Sequence, residues 1–380
     1  MKPRLFTPGP TPVPESVTLR MAQPIIHHRT PEFQNVLRDV ASGLQYLFCT
    51  AQPVLTITAS GTGAMEAAIV NTLSAGDEIL FVNAGRFGER WGAMARAYGV
   101  AAHEIPVPWG RAVTIEQITA ALAAHPTVAA LCLTHSETST GVFTDVRAIA
   151  EAVRPAFDGL IVVDGITAVG AHELRFDDWG IDVAVTGSQK GLMIPPGLAF
   201  IALSRRAWDA CRRSTLPKFY FDLLEARDAY ERNDTPWTPA ITLVCGVAET
   251  LRMIREEGIE AVWQRHARLA AALRAGVAAL GLEPYGAPPS HAITAITLPA
   301  RGEEFMALLK DRYRVTVAAG QDELKGRIFR VAHLGYYDEA DMLAVLYCIE
   351  RALADVGHPH RPGAGLAAAQ QAFQEPMRVV

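Results

Sequence analysis

The feature that most restricts the fold of this chain is the alternation of short, continuously apolar segments with amphipathic ones. A strand that lacks polar positions, such as Leu131-Cys132-Leu133, must be buried on both faces. The pattern therefore predicts a mostly parallel sheet covered by helices. The predicted strands are Pro53–Thr58, Glu78–Val82, Val128–Thr134, Leu160–Asp164 and Asp182–Thr186. The helices predicted between them are Ala64–Leu73, Phe87–Tyr98, Thr114–His125 and Val146–Val153.

The two ends of the chain have a different texture. Prolines crowd residues 1–24, which predicts an extended N-terminal arm, and a helix is expected from Pro31 to Cys49. A long helix over about 241–280, interrupted near Gly258, is expected to join two domains. The predicted boundaries are a large α/β domain over 25–250, a smaller α+β domain over 251–357 and a loosely packed tail over 358–380. The elements predicted for the small domain are Ala292–Leu298, Glu303–Asp311, Ile328–Ala332 and Glu339–Ala354.

Composition excludes several classes of protein. The net charge of -5 gives no overall attraction to nucleic acid or to anionic membranes. No apolar run reaches the roughly 18–20 residues of a membrane helix, and the proline-rich start is unlike a signal peptide. The 5 cysteines form no CxxC pair, which favours free thiols in a reducing compartment. We therefore expect a cytoplasmic protein without bound metal.

Ligands of a parallel α/β sheet bind beyond the carboxyl ends of its strands, so the residues that follow each strand are the first candidates. Ala59-Ser60-Gly61-Thr62-Gly63 follows the first predicted strand and opens a helix. Small residues let backbone N–H groups approach a phosphate, which the helix N-terminus also attracts. The segment is not a complete GxGxxG, because Glu66 occupies the place of the third glycine. A tight turn and a phosphate-binding loop both remain open on this evidence alone.

Two ionisable residues follow later strands. Asp164 ends four apolar residues, where an ionised carboxylate needs a partner. Lys190 follows Asp182–Thr186, is flanked by glycine and apolar residues, and is one of few lysines in the chain. A desolvated lysine has the lowered pKa that a Schiff-base nucleophile needs. A phosphate loop, then an acid, then an amine are together the groups that pyridoxal phosphate requires.

At this point the chain resembles the class V pyridoxal-phosphate aminotransferases, and within them the alanine–glyoxylate and serine–pyruvate group. The resemblance extends from Leu5 to about Leu353 and depends on the joint order of several short motifs. These are Pro8-Gly9-Pro10-Thr11, Ser60-Gly61-Thr62-Gly63, Thr134-His135-Ser136-Glu137-Thr138-Ser139-Thr140-Gly141, Val163-Asp164, Gly187-Ser188-Gln189-Lys190, Pro195-Pro196-Gly197 and Phe329-Arg330-Val331-Ala332-His333-Leu334-Gly335. The resemblance implies a fold type I pyridoxal-phosphate enzyme with a large parallel-sheet domain and a smaller C-terminal one.

The resemblance also implies a role for each matching residue. Lys190 would hold the cofactor as a Schiff base and move the proton, and Asp164 would pair with the pyridine nitrogen. Arg330 would grip the substrate carboxylate, which Gly9 would approach from a neighbouring subunit. The implied cofactor-binding residues are Ser60, Gly61, Thr62, Phe87, Thr138, Asp164, Ile166, Gln189, Lys190, Thr235 and Thr238.

Some of these positions depart from the family or stay ambiguous. Phe87 stands where many relatives have tryptophan, so stacking is expected without an indole N–H. Either Thr235 or Thr238 would contact the phosphate of a neighbouring subunit. His28 and Arg29 are expected near the site entrance.

Other candidates have simpler interpretations. His135 is expected either to position the ring or to make a structural hydrogen bond. Lys218 is the rival Schiff-base lysine, but it does not follow a strand. The pairs His27-His28 and His358-Pro359-His360 lack a third metal ligand nearby in sequence.

The resemblance implies a homodimer that moves the amino group of alanine or serine to glyoxylate or pyruvate by ping-pong exchange. The alternatives are another donor such as aspartate, or a lyase or desulfurase with the same cofactor and fold. A desulfurase would need an exposed cysteine in a mobile loop. A nicotinamide-binding or non-enzymatic α/β protein is disfavoured by Glu66.

Overall fold

The computed structural model describes residues 1–375 of the 380-residue chain, so the last five residues of the predicted tail lie outside it. The strands are β1 (Arg4–Leu5), β2 (Val54–Ile57), β3 (Glu78–Asn83), β4 (Ala101–Pro106), β5 (Ala130–Thr134), β6 (Ser136–Glu137), β7 (Val142–Phe143), β8 (Leu160–Asp164), β9 (Val183–Gly187), β10 (Ala199–Leu203), β11 (Ile293–Thr297), β12 (Val315–Thr316), β13 (Ala318–Ala319) and β14 (Ile328–Ala332). The helices are α1 (Glu15–Met21), α2 (Pro31–Phe48), α3 (Gly61–Thr72), α4 (Arg86–Ala97), α5 (Ile115–Ala124), α6 (Val146–Val153), α7 (Arg205–Arg213), α8 (Leu223–Glu231), α9 (Ile241–Glu257), α10 (Ile259–Ala279), α11 (Gly302–Ala307), α12 (Glu339–Asp355) and α13 (Ala364–Gln374).

Seven of these strands form one sheet in the order β2-β10-β9-β8-β5-β3-β4. Strand β10 runs antiparallel to both of its neighbours, and the pairs from β9 to β4 are parallel. The α/β fold with a mostly parallel sheet is therefore confirmed, and all five predicted strands lie in this sheet. Two strands of this sheet were missed. One is the edge strand β4, whose polar residues hide the apolar pattern, and the other is the antiparallel β10.

Alternate residues of each central strand supply two separate cores. Ile161 and Val163 of β8 face a core shared with α2, α5, α6 and α9, while Leu160 and Val162 face one shared with α3, α4 and α7. Because successive side chains face the two cores in turn, both faces of these strands are buried and therefore mostly apolar. Among the described residues, no helix is both long and apolar enough to cross a membrane.

A third core lies between α10, α12 and the antiparallel sheet β11-β14-β13. Helix α9 ends at Gly258, which has a φ of 87°, and α10 begins directly after it, as the predicted interruption requires. The first turns of α10 pack in the large core and its later turns in this third core. The boundaries near 24, 250 and 357 stay predictions.

The predicted loose packing of the tail is wrong for residues 364–374, which form α13 against α10. A Cβ at Gly276 would lie 3.0 Å from the carbonyl oxygen of Gly365, and Ala369 is fully buried. The small residues that suggested loose packing are the ones that let the two helices approach closely.

The N-terminal arm is anchored on the smaller body. Strand β1 pairs in parallel with β12, and the Ala332 N–H donates a hydrogen bond to the Phe6 carbonyl at 2.9 Å. The ring of Phe6 stacks on Tyr337 in the third core. The arm also contains the short helix α1, so it is not extended throughout. These contacts deliver residues 8 and 9 to the carboxyl ends of the large sheet.

Candidate active site

The parallel register brings Asp164 and Lys190 to one edge of the large sheet. Asp164 is the last residue of β8 and is paired with Thr134 of β5 and Val185 of β9. Lys190 lies in the turn that follows β9. Because parallel strands end at the same edge, both side chains reach the region where ligands of such sheets bind.

Lys190 is a buried amine. Only 9% of the residue is exposed, and its Nζ donates a hydrogen bond to the carbonyl of Pro8 at 2.5 Å. Burial lowers the pKa of Lys190 to about 8, an effect that the nearby Asp164 charge opposes and the Arg330 charge supports. A lysine with this pKa supplies neutral amine near physiological pH, as a nucleophile or a base requires.

Gly9 lies against this amine in the same chain. Its φ is 149°, and a Cβ at this position would lie 2.7 Å from Lys190 Nζ. The expectation that Gly9 arrives from a neighbouring subunit is wrong for this arm. The pairing of β1 with β12 holds the arm on its own chain and leads it to its own lysine.

Asp164 is a buried acid with a single hydrogen bond among the described residues. Its Oδ1 accepts from the Ile166 N–H at 2.8 Å, and Oδ2 has no donor. Burial raises the pKa of Asp164 to about 7, and the charges of Arg90 and Lys190 oppose this rise. A bound cation at Oδ2 would restore the ionised form, which is what a protonated pyridine nitrogen offers.

The start of α3 has the properties of an anion site. Ser60 precedes the helix without capping it through its side chain, and the N–H groups of Gly61 and Thr62 have no acceptor within residues 1–375. Gln189 can donate from Nε2 to a phosphate, and its buried Oε1 accepts no hydrogen bond there. A Cβ at Gly187 would lie 3.1 Å from that oxygen and 3.4 Å from the Gly61 nitrogen, so Gln189 sits beside the helix start. Free helix N–H groups and an adjacent amide suit a phosphate. The residues present therefore fit pyridoxal phosphate.

Phe87 is placed by a residue that the sequence analysis did not assign to the site. Glu137 is buried and accepts hydrogen bonds from the N–H groups of Phe87 (3.1 Å) and Gly88 (2.9 Å), which begin α4. It also accepts from the Ser139 hydroxyl at 2.5 Å. Burial raises the pKa of Glu137, and these donors oppose the rise. Glu137 therefore fixes the end of α4 that carries the aromatic ring.

Arg90 is the second residue that was missed. Its Nη1 donates to the Thr62 hydroxyl at 2.7 Å, and its guanidinium carbon lies 4.9 Å from the centre of the Phe87 ring. One side chain thus joins the first turn of α3 to the first turn of α4. Its position three residues after Phe87 on one helix face is the only sequence signal that could have found it.

Arg330 is held so that two of its donors remain free. It is 4% exposed, and burial lowers its pKa to about 10. Nε and Nη2 donate to the carbonyl of Ala319, and Nη1 donates to the carbonyl of Thr138. Three of the five N–H groups are thereby used, which leaves one on each terminal nitrogen for a carboxylate.

The remaining cofactor candidates near this edge are Thr138 and Ile166. The Thr138 hydroxyl lies 2.6 Å from the Thr167 hydroxyl. Ile166 packs under α3, where a Cβ at Gly61 would lie 2.6 Å from its Cδ1. Both residues follow strands β5 and β8, so the structure brings them to the same edge as Asp164.

The structure does not bring Thr235 and Thr238 to this site within one chain. They lie between α8 and α9, where the Thr235 hydroxyl donates to the Trp237 carbonyl at 2.8 Å. Arg29 is held there by hydrogen bonds to the Asp234 carboxylate and the Thr235 carbonyl. The choice between the two threonines stays open.

The other candidates lie elsewhere. The His135 ring packs near Phe143 and Trp179, and neither of its nitrogens has a hydrogen-bond partner among the described residues. Neither expected role of His135, positioning the ring or making a structural hydrogen bond, has a contact to support it here. Lys218 donates to the Ser214 hydroxyl and the Leu216 carbonyl after α7. His27 stacks on its neighbour at 4.6 Å between ring centres.

Comparison with known proteins agrees with this geometry. The family model for Aminotransferase class-V matches residues 5–329. A Synechococcus protein (strain PCC 6716) named soluble hydrogenase, small subunit, is 45% identical over 97% of this chain and 98% of its own. The L-aspartate–glyoxylate aminotransferase of Paracoccus denitrificans is 36% identical over 98% of this chain and 96% of its own.

The solved structures agree as well. The ureidoglycine–glyoxylate aminotransferase of Bacillus subtilis superposes with a TM-score of 0.93 at 29% identity, over 99% of each chain. The aminotransferase activity and the cofactor expected from the sequence are thereby confirmed, while the individual residue roles stay proposals. The chain is a pyridoxal-phosphate-dependent enzyme and belongs to the class V aminotransferase family.

Proposed function

We propose that this enzyme moves the amino group of alanine or serine to glyoxylate or pyruvate by ping-pong exchange. The observation that carries the proposal is the buried guanidinium of Arg330, which has two free donors and, from β14, faces the large-sheet edge that holds Lys190 and Asp164. One such fork binds one carboxylate, which suits a donor with a small uncharged side chain. Two of the similar proteins have glyoxylate in their names, which supports glyoxylate as an acceptor.

The side chains divide the work as follows. Arg330 binds the substrate carboxylate and so orients the Cα–H bond, and Lys190, once its amine is free, takes that proton as general base. Asp164 stays ionised against the pyridine nitrogen. The N–H groups of Gly61 and Thr62, with Gln189, hold the phosphate. Bound pyridoxal phosphate supplies the electron sink for the charge left at Cα.

The surroundings support a small substrate. Pro8 and Gly9 cover Lys190 from the arm side, which limits the room beside the amine. Arg86, whose charge helps to lower the pKa of Arg330, is already paired with both carboxylate oxygens of Asp322 at 2.9 and 3.1 Å. A second substrate carboxylate would have to displace that pair, so dicarboxylic donors such as aspartate are disfavoured.

We propose that two copies form a homodimer in which the segment with Thr235 and Thr238 reaches the phosphate of the other copy. Exposed aromatic rings next to this segment support an interface. Phe219 is 77% exposed and lies 5.2 Å from Trp237, on which Tyr220 also stacks at 6.1 Å. Exposed rings of this kind are typical of protein contacts.

The cysteines support a cytoplasmic location and disfavour a desulfurase or a hydrogenase activity. All five are free, which supports the cytoplasm. None of them is exposed, so the loop cysteine of a desulfurase has no counterpart within the described residues. No cysteine belongs to a group of potential metal ligands there, so the hydrogenase in a relative's name is not proposed for this chain.

The test is a half-reaction with the purified, cofactor-loaded protein. We expect alanine or serine to convert the bound cofactor to its pyridoxamine form, and glyoxylate or pyruvate to reverse the change. Lys190→Ala should abolish the conversion, while Lys218→Ala, the matched lysine control, should leave it intact. Loss of activity in Lys218→Ala but not in Lys190→Ala would overturn the assignment of the amine. Conversion by aspartate alone would overturn the donor class.

A further inference from the structure

A carboxylate and two imidazoles meet at the end of the large sheet that is opposite the active site. Glu78 is the first residue of β3, His103 lies in the edge strand β4, and His125 follows α5. One ligand atom of each side chain lies within 4.8 Å of the others. The three residues belong to separate elements, so their sequence spacing gives no sign of the cluster.

The parallel register explains how the cluster forms. Glu78 is opposite Ala101, so His103, two residues further along β4, points to the same face as Glu78. Nε2 of His103 lies 2.9 Å from Oε2 of Glu78. The ring of His125 stacks on that of His103, with centres 3.9 Å apart and planes 26° from parallel.

We propose that Glu78, His103 and His125 bind one zinc ion, with water as the remaining ligand. Imidazole nitrogens and a carboxylate oxygen are ligands that zinc prefers, and three protein ligands leave an open fourth position. Zinc bonds of about 2.0–2.2 Å place tetrahedral ligand atoms about 3.3 Å apart, so the side chains must close by at most about 1.5 Å.

The side chains have the freedom for this movement. All three residues are only partly buried, and the His125 ring makes no hydrogen bond within residues 1–375. A turn of the His125 ring about its Cβ–Cγ bond breaks the stack and aims a nitrogen at the ion. The direct contact between His103 and Glu78 would be replaced by a bond from each of them to the same zinc ion.

The other histidines of the described chain do not offer such a site. His172 and His333 are buried, and their Nε2 atoms already lie 2.9 Å from the hydroxyls of Ser290 and Thr294. His27 and His28 stack on each other, but no third ligand joins them among residues 1–375. This pair is therefore a matched control for surface histidines that bind zinc weakly.

Zinc at this position would tie three elements together. It would link the exposed edge strand β4 to β3 and to the end of α5, far from the carboxyl ends that hold Lys190. Edge strands expose unpaired backbone groups, and fastening one protects it. A ligand that binds only the folded protein raises its stability by mass action. Zinc is therefore expected to raise the melting temperature without changing the absorbance of the bound cofactor.

The experiment is calorimetric titration of zinc chloride into the tag-free, cofactor-loaded protein after chelator treatment and dialysis. We expect one saturable zinc per chain, bound at least about tenfold more weakly by His103→Gln and by His125→Gln. The double variant His27→Gln/His28→Gln should bind as the wild type does. Magnesium should not compete, because it prefers oxygen ligands.

Either of two results would overturn the proposal. One is the absence of saturable binding by the wild type, and the other is an unchanged affinity in His125→Gln. His125 lies beyond the end of α5 and has a partly exposed side chain, so this variant is expected to fold. Melting curves of each variant without zinc check that point. The result does not depend on transamination, because the cluster shares no residue with the active site.

Discussion

The backbone carbonyl of Pro8 accepts a hydrogen bond from the ammonium group of Lys190 at 2.5 Å. A side chain at the residue that follows would push this amine aside, because a Cβ at Gly9 would lie 2.7 Å from Nζ. The first eight residues of the chain therefore help to place an amine that lies near its middle.

Gly9→Ala should displace Lys190 and lower both cofactor incorporation and activity by at least about tenfold. The cause is contact with the amine, added to the backbone strain of a φ of 149°. Gly76→Ala is the matched control, since Gly76 also has a positive φ (88°) but no atom within 4 Å of its Cβ position. The measurement is the absorbance of bound cofactor at saturation. Equal loss in both variants would show that strain alone is responsible.

Asp164→Asn should stabilise the cofactor-free protein at pH 7–8 while it abolishes catalysis. The pKa of Asp164 is about 7 in the folded protein against an ordinary 3.8. The carboxyl therefore contributes stability below pH 4 that is lost as the pH rises to 7. Replacing this carboxyl by an amide should raise the free energy of unfolding by about 2–4 kcal/mol at pH 8. Each pKa unit is worth about 1.4 kcal/mol, and the lost attraction to Lys190 reduces the total.

The check is urea unfolding at pH 4 and pH 8, where the gap between variant and wild type should grow with pH. Asp182→Asn is the buried control. Its oxygens accept from Arg154, Ile161 and Ser204, so this variant should be destabilised instead. A gap for Asp164→Asn that does not change with pH would contradict the expected titration.

Arg90→Gln should weaken binding of the cofactor by roughly 5- to 50-fold. The variant loses the hydrogen bond to Thr62 and the cation–π contact with Phe87, which together are worth about 1–2.5 kcal/mol. Arg96→Gln is the control on the same helix, because Arg96 contacts Phe81 and the Ala102 carbonyl in the same two ways but away from the site. Equilibrium dialysis of pyridoxal phosphate measures the difference. Equal affinities would rule out a positioning role for Arg90.

Arg330→Lys should lower kcat/KM for the amino donor by about 100-fold or more and leave cofactor affinity nearly unchanged. Lysine cannot present two parallel donors to a carboxylate or reach both the Ala319 and Thr138 carbonyls. Rates of the half-reaction against donor concentration give the change. Arg86→Lys, at the exposed pair with Asp322, should have a much smaller effect. If Arg86→Lys lowered kcat/KM more than Arg330→Lys did, the substrate carboxylate would be assigned to Arg86 instead.

Acid should destabilise the protein through a cluster of buried histidines at the junction of the large and small bodies. Burial lowers the pKa of His135 and His266 to about 3 and that of His291 to about 4, and it lowers the pKa values of His172 and His333 well below the ordinary 6.5. Because these folded pKa values lie below the ordinary 6.5, the stability they contribute is present above pH 6.5 and is lost as the pH falls.

His135→Leu separates this effect from others. This variant removes two buried ring nitrogens that have no hydrogen-bond partner. Its free energy of unfolding should therefore be about 1–3 kcal/mol higher than that of the wild type at pH 5. His333→Leu should lose stability at every pH, since His333 lies 2.9 Å from the Thr294 hydroxyl and 2.7 Å from the His291 carbonyl. Urea midpoints at pH 5 and pH 8 test both. If both variants lost stability, the contribution of His135 would come from the packing of its ring and not from its unpaired nitrogens.

The sequence predicts those parts of the molecule whose signal is local. Asp164 ends one buried strand and Lys190 follows another, and parallel strands must end at one edge, so their meeting follows from position alone. Gln189 and Gly61 approach each other for the same reason. The family resemblance supplied the roles of Phe87 and Arg330, which spacing could not have assigned.

The remaining parts depend on contacts between distant segments. Glu137 matters because its loop meets the start of α4, and Arg90 because α3 and α4 lie side by side. The arm reaches Lys190 through a pairing of β1 with β12 that no local pattern encodes. The alanine-rich tail has the composition of a flexible segment, yet its small residues pack as α13 against α10.

The parallel pair of β1 and β12 has a consequence for how the protein is made. Residues 4–5 cannot pair until residues 315–316 exist, and these are synthesised only after about four-fifths of the chain. Until then the large sheet can assemble, but nothing holds the arm over Lys190. A nascent or truncated chain would therefore carry its reactive amine uncovered, and the arm closes over it only as synthesis nears completion.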